Sequence, residues 1–231
     1  MTVAAGAVPV ITIDGPSGTG KGTIARLLTA WLGWHLLDSG ALYRLAGLAA
    51  EKHGLDLDDA TAVAALARDL DIAFIEADGA TRVRLAGRDV SDTIRSEACG
   101  ALASRVAAHP AVREALLARQ RDFRRAPGLV ADGRDMGTVV FPDATLKIFL
   151  TATPEERARR RYNQLIEKGM GVNLARLSRD IAERDRRDAE RAVAPLRPAP
   201  DAVILDTTSA DVRAVEEQVR QLVLERGLAR V

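Results

Sequence analysis

A glycine-rich segment with a single lysine lies between two apolar stretches near the start of the sequence. Residues 15–23 read GPSGTGKGT; they come shortly after the apolar run VPVITI and directly before IARLLTAWLG. Gly15 to Lys21 match the pattern G-x-x-x-x-G-K between a predicted strand and a predicted helix, which is the context of a phosphate-binding loop. Backbone N–H groups would converge on phosphate oxygens, and Lys21 would reach the β- and γ-phosphates of ATP. A glycine-rich turn with a solvated lysine is the alternative, and the strand–helix context favours the nucleotide site.

The residue that follows Lys21 bears on magnesium binding. It is Gly22 rather than serine or threonine, and the hydroxyl comes one place later, at Thr23. Mg²⁺ tolerates coordination mainly by phosphates and water, so we expect this mode, with Thr23 or Asp132 as candidate protein ligands. The run G-K-G-T is more similar to nucleoside monophosphate kinases than to GTPases or large ATPases. The candidate contacts to the ATP phosphates are Gly15, Pro16, Ser17, Gly18, Thr19, Gly20, Lys21, Gly22 and Thr23.

Two further segments place an arginine just after a predicted strand. In HLLDSGALYR, which ends at Arg44, a strand ends in Asp38 and a helix follows; in LVADGRDMGTVVFPDA, Asp132 ends a strand and Arg134 follows its glycine. Parallel α/β sheets bind ligands at the carboxyl ends of their strands, and arginine suits phosphate groups. The alternatives are a helix cap by Asp38 or the next residue, Ser39, and a surface salt bridge between Arg134 and its neighbour Asp135.

Five short apolar runs alternate with helix-period segments along the chain. They lie at residues 8–13, 35–38, 129–132, 146–151 and 202–206, and most hold consecutive apolar residues, as strands covered on both faces do. This alternation predicts an α/β fold with a five-stranded parallel sheet flanked by helices.

The long gap between the second and third runs predicts an inserted subdomain. Roughly 90 residues separate these runs, far more than one crossover connection needs. Residues 72–91 alternate in polarity around Asp78-Gly79 and again near Gly87, which predicts a small antiparallel sheet. We therefore expect a core of residues 1–58 and 126–231 and an inserted subdomain over residues 59–125.

Four motifs together resemble the cytidylate kinase family of bacteria, whose members are nucleoside monophosphate kinases with a P-loop. The motifs are ITIDGPSGTGKGT, HLLDSGALYR, ADGRDMGTVVFPDA and RAVAPL, and the resemblance covers nearly the whole chain. Many kinases share the first motif, whereas the combination is specific. The resemblance implies a P-loop kinase fold with an inserted monophosphate-binding subdomain and a helical lid. It also implies transfer of the γ-phosphate of ATP to CMP or dCMP, poor use of UMP, a need for Mg²⁺, and a monomer.

The resemblance also implies roles for residues at matching positions. Arg44 and Arg134 would hold the acceptor phosphate, Ser39, Arg184 and Asp188 would lie near its ribose, and Ser104, Arg113, Asp135 and Arg191 would read cytosine. Cytosine offers a 4-amino donor that serine or aspartate accepts, and O2 and N3 acceptors that arginine satisfies. Uracil has the opposite polarity at positions 3 and 4, so such a site would leave polar groups unpaired against it.

Arginines are concentrated between Glu155 and Arg191, where ten arginines and one lysine stand against eight acidic residues. A charge run of this kind is usually a solvated helix face with i,i+4 pairs. The segment also resembles the lid of the same kinases, over about residues 155–188, with Gly169-Met170-Gly171 as a hinge. Arginines that arrive on lid closure would stabilise the transferring phosphoryl group and exclude water. The candidate catalytic residues are Lys21, Arg134, Arg160 and Arg161.

This chemistry needs no strong general base. A nucleoside monophosphate has a second pKa near about 6, so it is largely dianionic and nucleophilic at neutral pH. Catalysis would then depend on alignment and charge neutralisation. His35, His53 and His109 lie outside the catalytic positions of the motifs, and we expect no metal or catalytic role for them.

Composition bears on partners and on location. The 33 basic and 32 acidic residues leave a net charge of +1, and aromatic residues make up 3%, so we expect neither nucleic acid nor a membrane as partner. The single cysteine, Cys99, excludes an intramolecular disulfide and is expected to be a small buried residue. No segment has the length of a membrane span and the N-terminus lacks signal-peptide features, so we expect a cytoplasmic protein.

Two other functions fit part of the sequence. A kinase that phosphorylates a hydroxyl group, as shikimate-type kinases do, would favour a carboxylate base such as Asp38 or Asp132. Two arginines aimed at an acceptor phosphate argue against it. A nucleotide-dependent nucleic-acid-binding protein would use the arginine-rich helix, but the near-zero net charge argues against that function.

Overall fold

The structure is a computed structural model, and it describes residues 8–77, 80–167, 169 and 171–229. Its strands are β1 (Val10–Asp14), β2 (His35–Asp38), β3 (Ile72–Ala77), β4 (Ala80–Leu85), β5 (Arg88–Asp89), β6 (Leu129–Gly133), β7 (Leu146–Thr151) and β8 (Val203–Asp206). Its helices are α1 (Lys21–Leu32), α2 (Ser39–Lys52), α3 (Ala60–Arg68), α4 (Glu97–Val106), α5 (Pro110–Arg121), α6 (Pro154–Glu167), α7 (Leu174–Glu190) and α8 (Val212–Glu225). A short 3₁₀ turn spans Thr93–Arg95 and a π-helical turn spans Met136–Val140.

The chain divides into two compact units, of which the first comprises Met1–Asp38 and Arg121–Val231. Its sheet has five strands in the order β2-β6-β1-β7-β8, and every pairing is parallel. The central strand β1 is buried along its whole length, and α1 and α8 pack on the sheet through side chains such as Ile24, Leu28 and Val219. This confirms the predicted five-stranded parallel sheet with flanking helices.

Two helices of the arginine-rich segment, α6 and α7, form a hairpin in the first unit. Their contact includes an apolar cluster of four buried residues, Ala158, Leu165, Leu177 and Ile181. The Thr153 hydroxyl accepts a hydrogen bond from the Glu156 N–H at 3.3 Å and so caps the start of α6. Met170 of the predicted hinge lies outside the described residues.

The second unit comprises Ser39–Gln120 and contains the predicted antiparallel sheet, in the order β3-β4-β5. Asp78 and Gly79, where we expected a turn, lie outside the described residues. The unit begins at Ser39 rather than at residue 59 and ends at Gln120 rather than at residue 125. The early start arises because α2 packs closely on α4: a Cβ at Gly47 would lie 2.8 Å from the Cβ of Leu102. None of the described helices is long and apolar enough to cross a membrane.

Candidate active site

Residues 15–20 form a tight loop between β1 and α1, and Lys21, Gly22 and Thr23 form the first turn of α1. Gly15 has a φ of +144°, and a Cβ there would lie 2.0 Å from the carbonyl oxygen of Leu150, so a side chain would collide with β7. Gly20 has a φ of 92° and precedes the first residue of α1. Glycine adopts such angles without steric cost, so the chain can turn from the buried strand directly into the helix. The loop thus has the strand–turn–helix geometry of a phosphate-binding loop.

Two buried cations hold the carbonyl groups of this loop. The Lys21 ammonium donates to the Pro16 carbonyl at 2.6 Å, and the Arg157 Nη1 donates to the Ser17 carbonyl at 3.1 Å. Arg157 is only 3% exposed, and its Nη2 also donates to the Asp185 carboxylate of α7 at 2.5 Å. These two hydrogen bonds therefore help to fix the shape of the loop.

The charge of Lys21 is sensitive to its surroundings. Burial lowers the pKa of Lys21 to about 7, with Arg134 acting in the same direction and Asp132 in the opposite one. Burial likewise raises the pKa of Asp132 to about 6, although Lys21 opposes that rise. A phosphate dianion next to Lys21 would favour its protonated form, because opposite charges stabilise each other in a buried site.

A second cluster surrounds the carboxylate of Asp188. The Arg134 Nε donates to Asp188 Oδ2 at 3.0 Å. Burial alone would raise the pKa of Asp188, but Arg134, Arg184 and Arg191 hold it below its usual range. The structure therefore brings together four residues that the resemblance assigned to the acceptor. Asp135 follows Arg134 and is 2% exposed.

Arg160 lines a cavity of about 550 Å³ next to the phosphate-binding loop. Its guanidinium donates to the hydroxyl and the carbonyl of Thr207, to the Ala210 carbonyl and to the Glu156 carboxylate. Arg160 thus holds the segment that precedes α8. Arg161 donates from Nη1 to Gln164 Oε1 on its own helix at 3.3 Å. We assigned both arginines to the transferring phosphoryl group, and that role stays a prediction.

The second unit contains the other predicted acceptor residues. Arg44 donates from Nη1 to the Ile94 carbonyl at 2.6 Å, and the Arg113 guanidinium lies 5.5 Å from the ring centre of Tyr43. Ser104 is 4% exposed, and its hydroxyl has no hydrogen-bond partner among the described residues. A buried hydroxyl is rarely left unpaired, so Ser104 is a candidate ligand contact. Ser39, the first residue of α2, is also 4% exposed.

Comparison with known proteins places the chain in a family. The family model described as "Cytidylate kinase" matches residues 11–225. The chain belongs to the cytidylate kinase family. Among curated relatives, the cytidylate kinase of Pseudomonas aeruginosa (strain UCBPP-PA14) is 62% identical over 93% of this chain and 94% of its own length. That of Stutzerimonas stutzeri (strain A1501) is 61% identical over 96% and 98%, respectively.

One solved structure has a lower sequence identity to this chain than these curated relatives have. The crystal structure of TT1252 from Thermus thermophilus is 23% identical, with a TM-score of 0.45 over 95% of this chain and 97% of that chain.

Two further residues, Asp14 and Arg157, hold segments of the candidate site and were not among the residues predicted from the sequence. Asp14 is 4% exposed; burial raises its pKa to about 7, although hydrogen bonds from the Gly137 and Met136 N–H groups lower it. The sequence signal for Asp14 is an acidic residue at the end of a strand that otherwise contains only Val, Ile and Thr. Arg157 lies within a run of arginines in the sequence. It differs from its neighbour Arg159 only in that its side of α6 is buried, whereas Arg159 is exposed.

The side chains beside the loop fit a magnesium ion. A Cβ at Gly22 would lie only 3.2 Å from Asp132 Oδ2, so the missing side chain lets this carboxylate lie against the loop. A carboxylate and the Thr23 hydroxyl are oxygen ligands of the kind that Mg²⁺ prefers. The described residues hold no group of three or more His, Cys, Asp or Glu placed to bind a metal.

The histidines and the cysteine have structural contacts in this family member. The ring nitrogens of His35, His53 and His109 lie 2.8–2.9 Å from the carbonyl oxygens of Ala126, Ala49 and Leu57, respectively. Cys99 is buried, as expected; its thiol donates to the Arg44 carbonyl at 3.4 Å, and burial raises its pKa.

Proposed function

We propose that this protein transfers the γ-phosphate of ATP to CMP or dCMP, forming ADP and CDP or dCDP. Membership of the cytidylate kinase family over residues 11–225 carries this proposal. The first unit supports it with a loop of phosphate-binding geometry and with the ion pair of Arg134 and Asp188. Arg134 directly follows β6, and Asp188 lies in the last turn of α7.

The donor nucleotide binds at residues 15–23. The loop N–H groups and Lys21 contact its phosphates, and the cavity beside Arg160 accommodates the base. This assignment is supported by the cavity lining, which includes Gly18 of the loop, Thr23 in the first turn of α1, and Ala210 and Val215 near the start of α8. The cavity combines apolar side chains such as Ile24 with polar and charged ones such as Asn163, and a cavity of several hundred Å³ is large enough for a nucleoside.

The acceptor is recognised by its phosphate, its ribose and its base. Arg44 and Arg134 bind the phosphate, Ser39, Arg184 and Asp188 contact the ribose, and Ser104, Arg113, Asp135 and Arg191 read cytosine. The unpaired Ser104 hydroxyl supports the base assignment, because binding of a donor or acceptor there would satisfy a buried polar group. The low pKa of Asp188 keeps its carboxylate ionised, as an acceptor for ribose hydroxyls must be.

The reaction is an in-line displacement at the γ-phosphorus. An oxygen of the acceptor's dianionic phosphate forms the new bond to phosphorus, and the bond to the β,γ-bridging oxygen breaks, so that ADP leaves with the electron pair. No proton has to be removed from the nucleophile. Lys21 and Arg134 neutralise the charge on the transferring group, and Arg160 and Arg161 add charge when the α6–α7 hairpin closes as a lid. Mg²⁺, when bound, neutralises further phosphate charge, and Asp132 and Thr23 would hold it together with phosphate oxygens and water.

Purified protein with ATP and Mg²⁺ tests the proposal in a coupled assay of ADP release. CMP, dCMP, UMP, AMP and shikimate are supplied separately as acceptors. Rates with CMP and dCMP at least about a hundredfold above the others are expected, because mismatched hydrogen bonds in a buried site cost several kcal/mol. Equal use of UMP would overturn the cytosine assignment, and phosphorylation of shikimate alone would overturn the choice of acceptor.

We also propose that the protein acts as a cytoplasmic monomer that binds neither nucleic acid nor membranes. Family resemblance and the net charge of +1 support this part of the proposal. Sedimentation of the purified protein measures its mass, and titration with single-stranded RNA at two salt concentrations measures nucleic-acid binding. A sedimenting dimer or a tight, salt-dependent RNA complex would contradict it.

A further inference from the structure

Asp14 is a buried carboxylate that binds two consecutive backbone N–H groups. It is the last residue of β1, and its side chain has no role in the phosphate-binding pattern. Oδ1 accepts a hydrogen bond from the Met136 N–H and Oδ2 accepts one from the Gly137 N–H, both at 2.8 Å. Both oxygens accept and neither donates, which is the hydrogen-bonding pattern of an ionised carboxylate. Each carboxylate oxygen thus holds one point of the same short segment.

The segment held by Asp14 directly follows two proposed acceptor residues. In the sheet, Asp14 is paired with Gly133, the last residue of β6. The chain then passes through Arg134 and Asp135 and returns to the Asp14 carboxylate at Met136. These two residues therefore lie in a short excursion that is attached to the end of β1 on both sides. Their backbone positions depend directly on where Asp14 is.

The far side of the same segment is attached differently. The π-helical turn closes on itself through hydrogen bonds from Val139 N–H to the Asp135 carbonyl at 2.9 Å and from Phe141 N–H to the Met136 carbonyl. Arg121 holds its end by donating to the Val140 carbonyl at 3.1 Å. The turn thus has its own internal structure, and the Asp14 carboxylate fastens its start to β1.

Asp14 also directly precedes the phosphate-binding loop. Gly15 is pressed against the Leu150 carbonyl, which leaves the start of the loop little room to move. One residue is therefore shared by the donor loop and the segment that carries Arg134 and Asp135.

We propose that Asp14 is a positioning residue for phosphoryl transfer: its carboxylate holds the Arg134–Asp135 segment at a set distance from the phosphate-binding loop. This inference rests on the proposed function, because Arg134 and Asp135 are its acceptor contacts. Both carboxylate oxygens of Asp14 accept backbone hydrogen bonds, so the proposed role is to position the segment and not to contact a substrate. The structural alternative is that the carboxylate stabilises the fold and leaves acceptor binding unaffected.

The test compares Asp14→Asn with Ile13→Val. Asparagine has nearly the same shape, but it offers one acceptor oxygen and turns an NH₂ group towards the other N–H, which loses its partner. Ile13 is the neighbouring, fully buried strand residue, and its truncation lowers stability through a small cavity without touching the segment. Both variants are studied well below their unfolding temperatures.

Three measurements separate the two roles. Backbone amide hydrogen exchange at Met136 and Gly137, without ligand, reports whether the segment is held; we expect exchange about tenfold faster or more in Asp14→Asn and no change in Ile13→Val. Calorimetry measures CMP and ADP binding separately, and kcat is measured alongside. For Asp14→Asn we expect CMP binding weakened about tenfold or more, a lower kcat, and ADP binding within about threefold of the original chain.

Each outcome decides the matter. One outcome is that Asp14→Asn unfolds at a lower temperature and yet matches Ile13→Val in amide hydrogen exchange at Met136 and Gly137, in CMP affinity and in kcat. In that case the carboxylate is only structural and the inference is overturned. If the unsubstituted protein does not bind CMP, the proposed function fails, whereas the exchange data still report whether Asp14 holds the segment. If Asp14→Asn does not fold, Gly137→Ala replaces it. A Cβ there would lie 2.9 Å from Thr12 Oγ1 and push the same segment away from β1, with the same expected loss of CMP binding.

Discussion

Arg134 and Asp188 form an ion pair with Nε and Oδ2 3.0 Å apart, and it joins the segment after β6 to the last turn of α7. The Asp188 side chain is 6% exposed and that of Arg134 is 18% exposed. Burial alone would lower the pKa of Arg134, but Asp188 and Asp132 raise it, so the guanidinium stays charged. The pair therefore fixes the orientation of a charged guanidinium that we propose binds the acceptor phosphate.

Removal of the Asp188 charge is expected to weaken acceptor binding. In Asp188→Asn, Arg134 loses the carboxylate that orients it, and we expect the KM for CMP to rise about tenfold while the KM for ATP changes less than about twofold. Steady-state kinetics with each substrate varied in turn measures both. The control is Asp180→Asn on the same helix, because the Asp180 side chain is 63% exposed and its ion pair with Arg176 is long, at 3.9 Å. An unchanged KM for CMP in Asp188→Asn would contradict the assignment.

Nucleotide binding is expected to take up a proton above neutral pH. The pKa of Lys21 is lowered to about 7 in the free protein, so its amine is neutral above that pH and charged below it. Bound phosphates favour the charged form. ADP affinity should therefore fall as pH rises from about 7 to about 9, by up to about tenfold per pH unit.

Calorimetry of ADP binding at about pH 8, in two buffers with different ionisation enthalpies, measures this proton uptake. Lys21→Arg is the matched control, because arginine stays charged throughout this range. It should bind with little pH dependence, even if binding is weaker. A flat profile for the unsubstituted protein, or the same slope in the variant, would show that Lys21 does not carry the linkage.

The carboxylate of Asp132 is expected to strengthen magnesium-dependent nucleotide binding. In the unsubstituted protein, Mg²⁺ should tighten ADP binding; in Asp132→Asn this gain should shrink about tenfold, because one anionic oxygen ligand is lost. Gly22→Ala should act in the same direction but less strongly, since its Cβ would lie 3.2 Å from Asp132 Oδ2. ADP affinity with and without Mg²⁺ measures the gain. An equal gain in all three proteins would exclude Asp132 as a metal contact.

Ser104 is expected to contribute to cytosine binding and not to stability. Its buried hydroxyl is unpaired among the described residues, so Ser104→Ala should leave the unfolding temperature unchanged or slightly raised. The KM for CMP should nevertheless rise about tenfold, because a hydrogen bond to the base is lost. Thr12→Val is the control: Thr12 Oγ1 is likewise buried and unpaired, but lies in β1, so only stability should respond. A loss of stability in Ser104→Ala with unchanged KM would contradict the assignment.

Much of the fold could be predicted from local patterns. The runs at 35–38 and 146–151 coincide with β2 and β7, because each contains consecutive apolar residues, which are typical of strands in a parallel sheet. The boundary of the second unit could not be predicted in this way. It depends on the packing of α2 against α4, which lie far apart in the sequence, and residue 47 shows no local sign that its lack of a side chain admits Leu102.

The sequence by itself determined the chemistry of this protein: the spacing of Gly15, Gly20 and Lys21 after an apolar strand specifies a phosphate site, since few other residue types adopt that turn. Only the tertiary structure decided which charged side chains are buried and which groups they contact. It buried Arg157 and left Arg159 exposed on the same helix. It also joined Asp14 to Met136 and Arg134 to Asp188. The physical reason is that burial and ion pairing depend on neighbours brought together by packing, whereas glycine geometry and apolar periodicity act within a few residues.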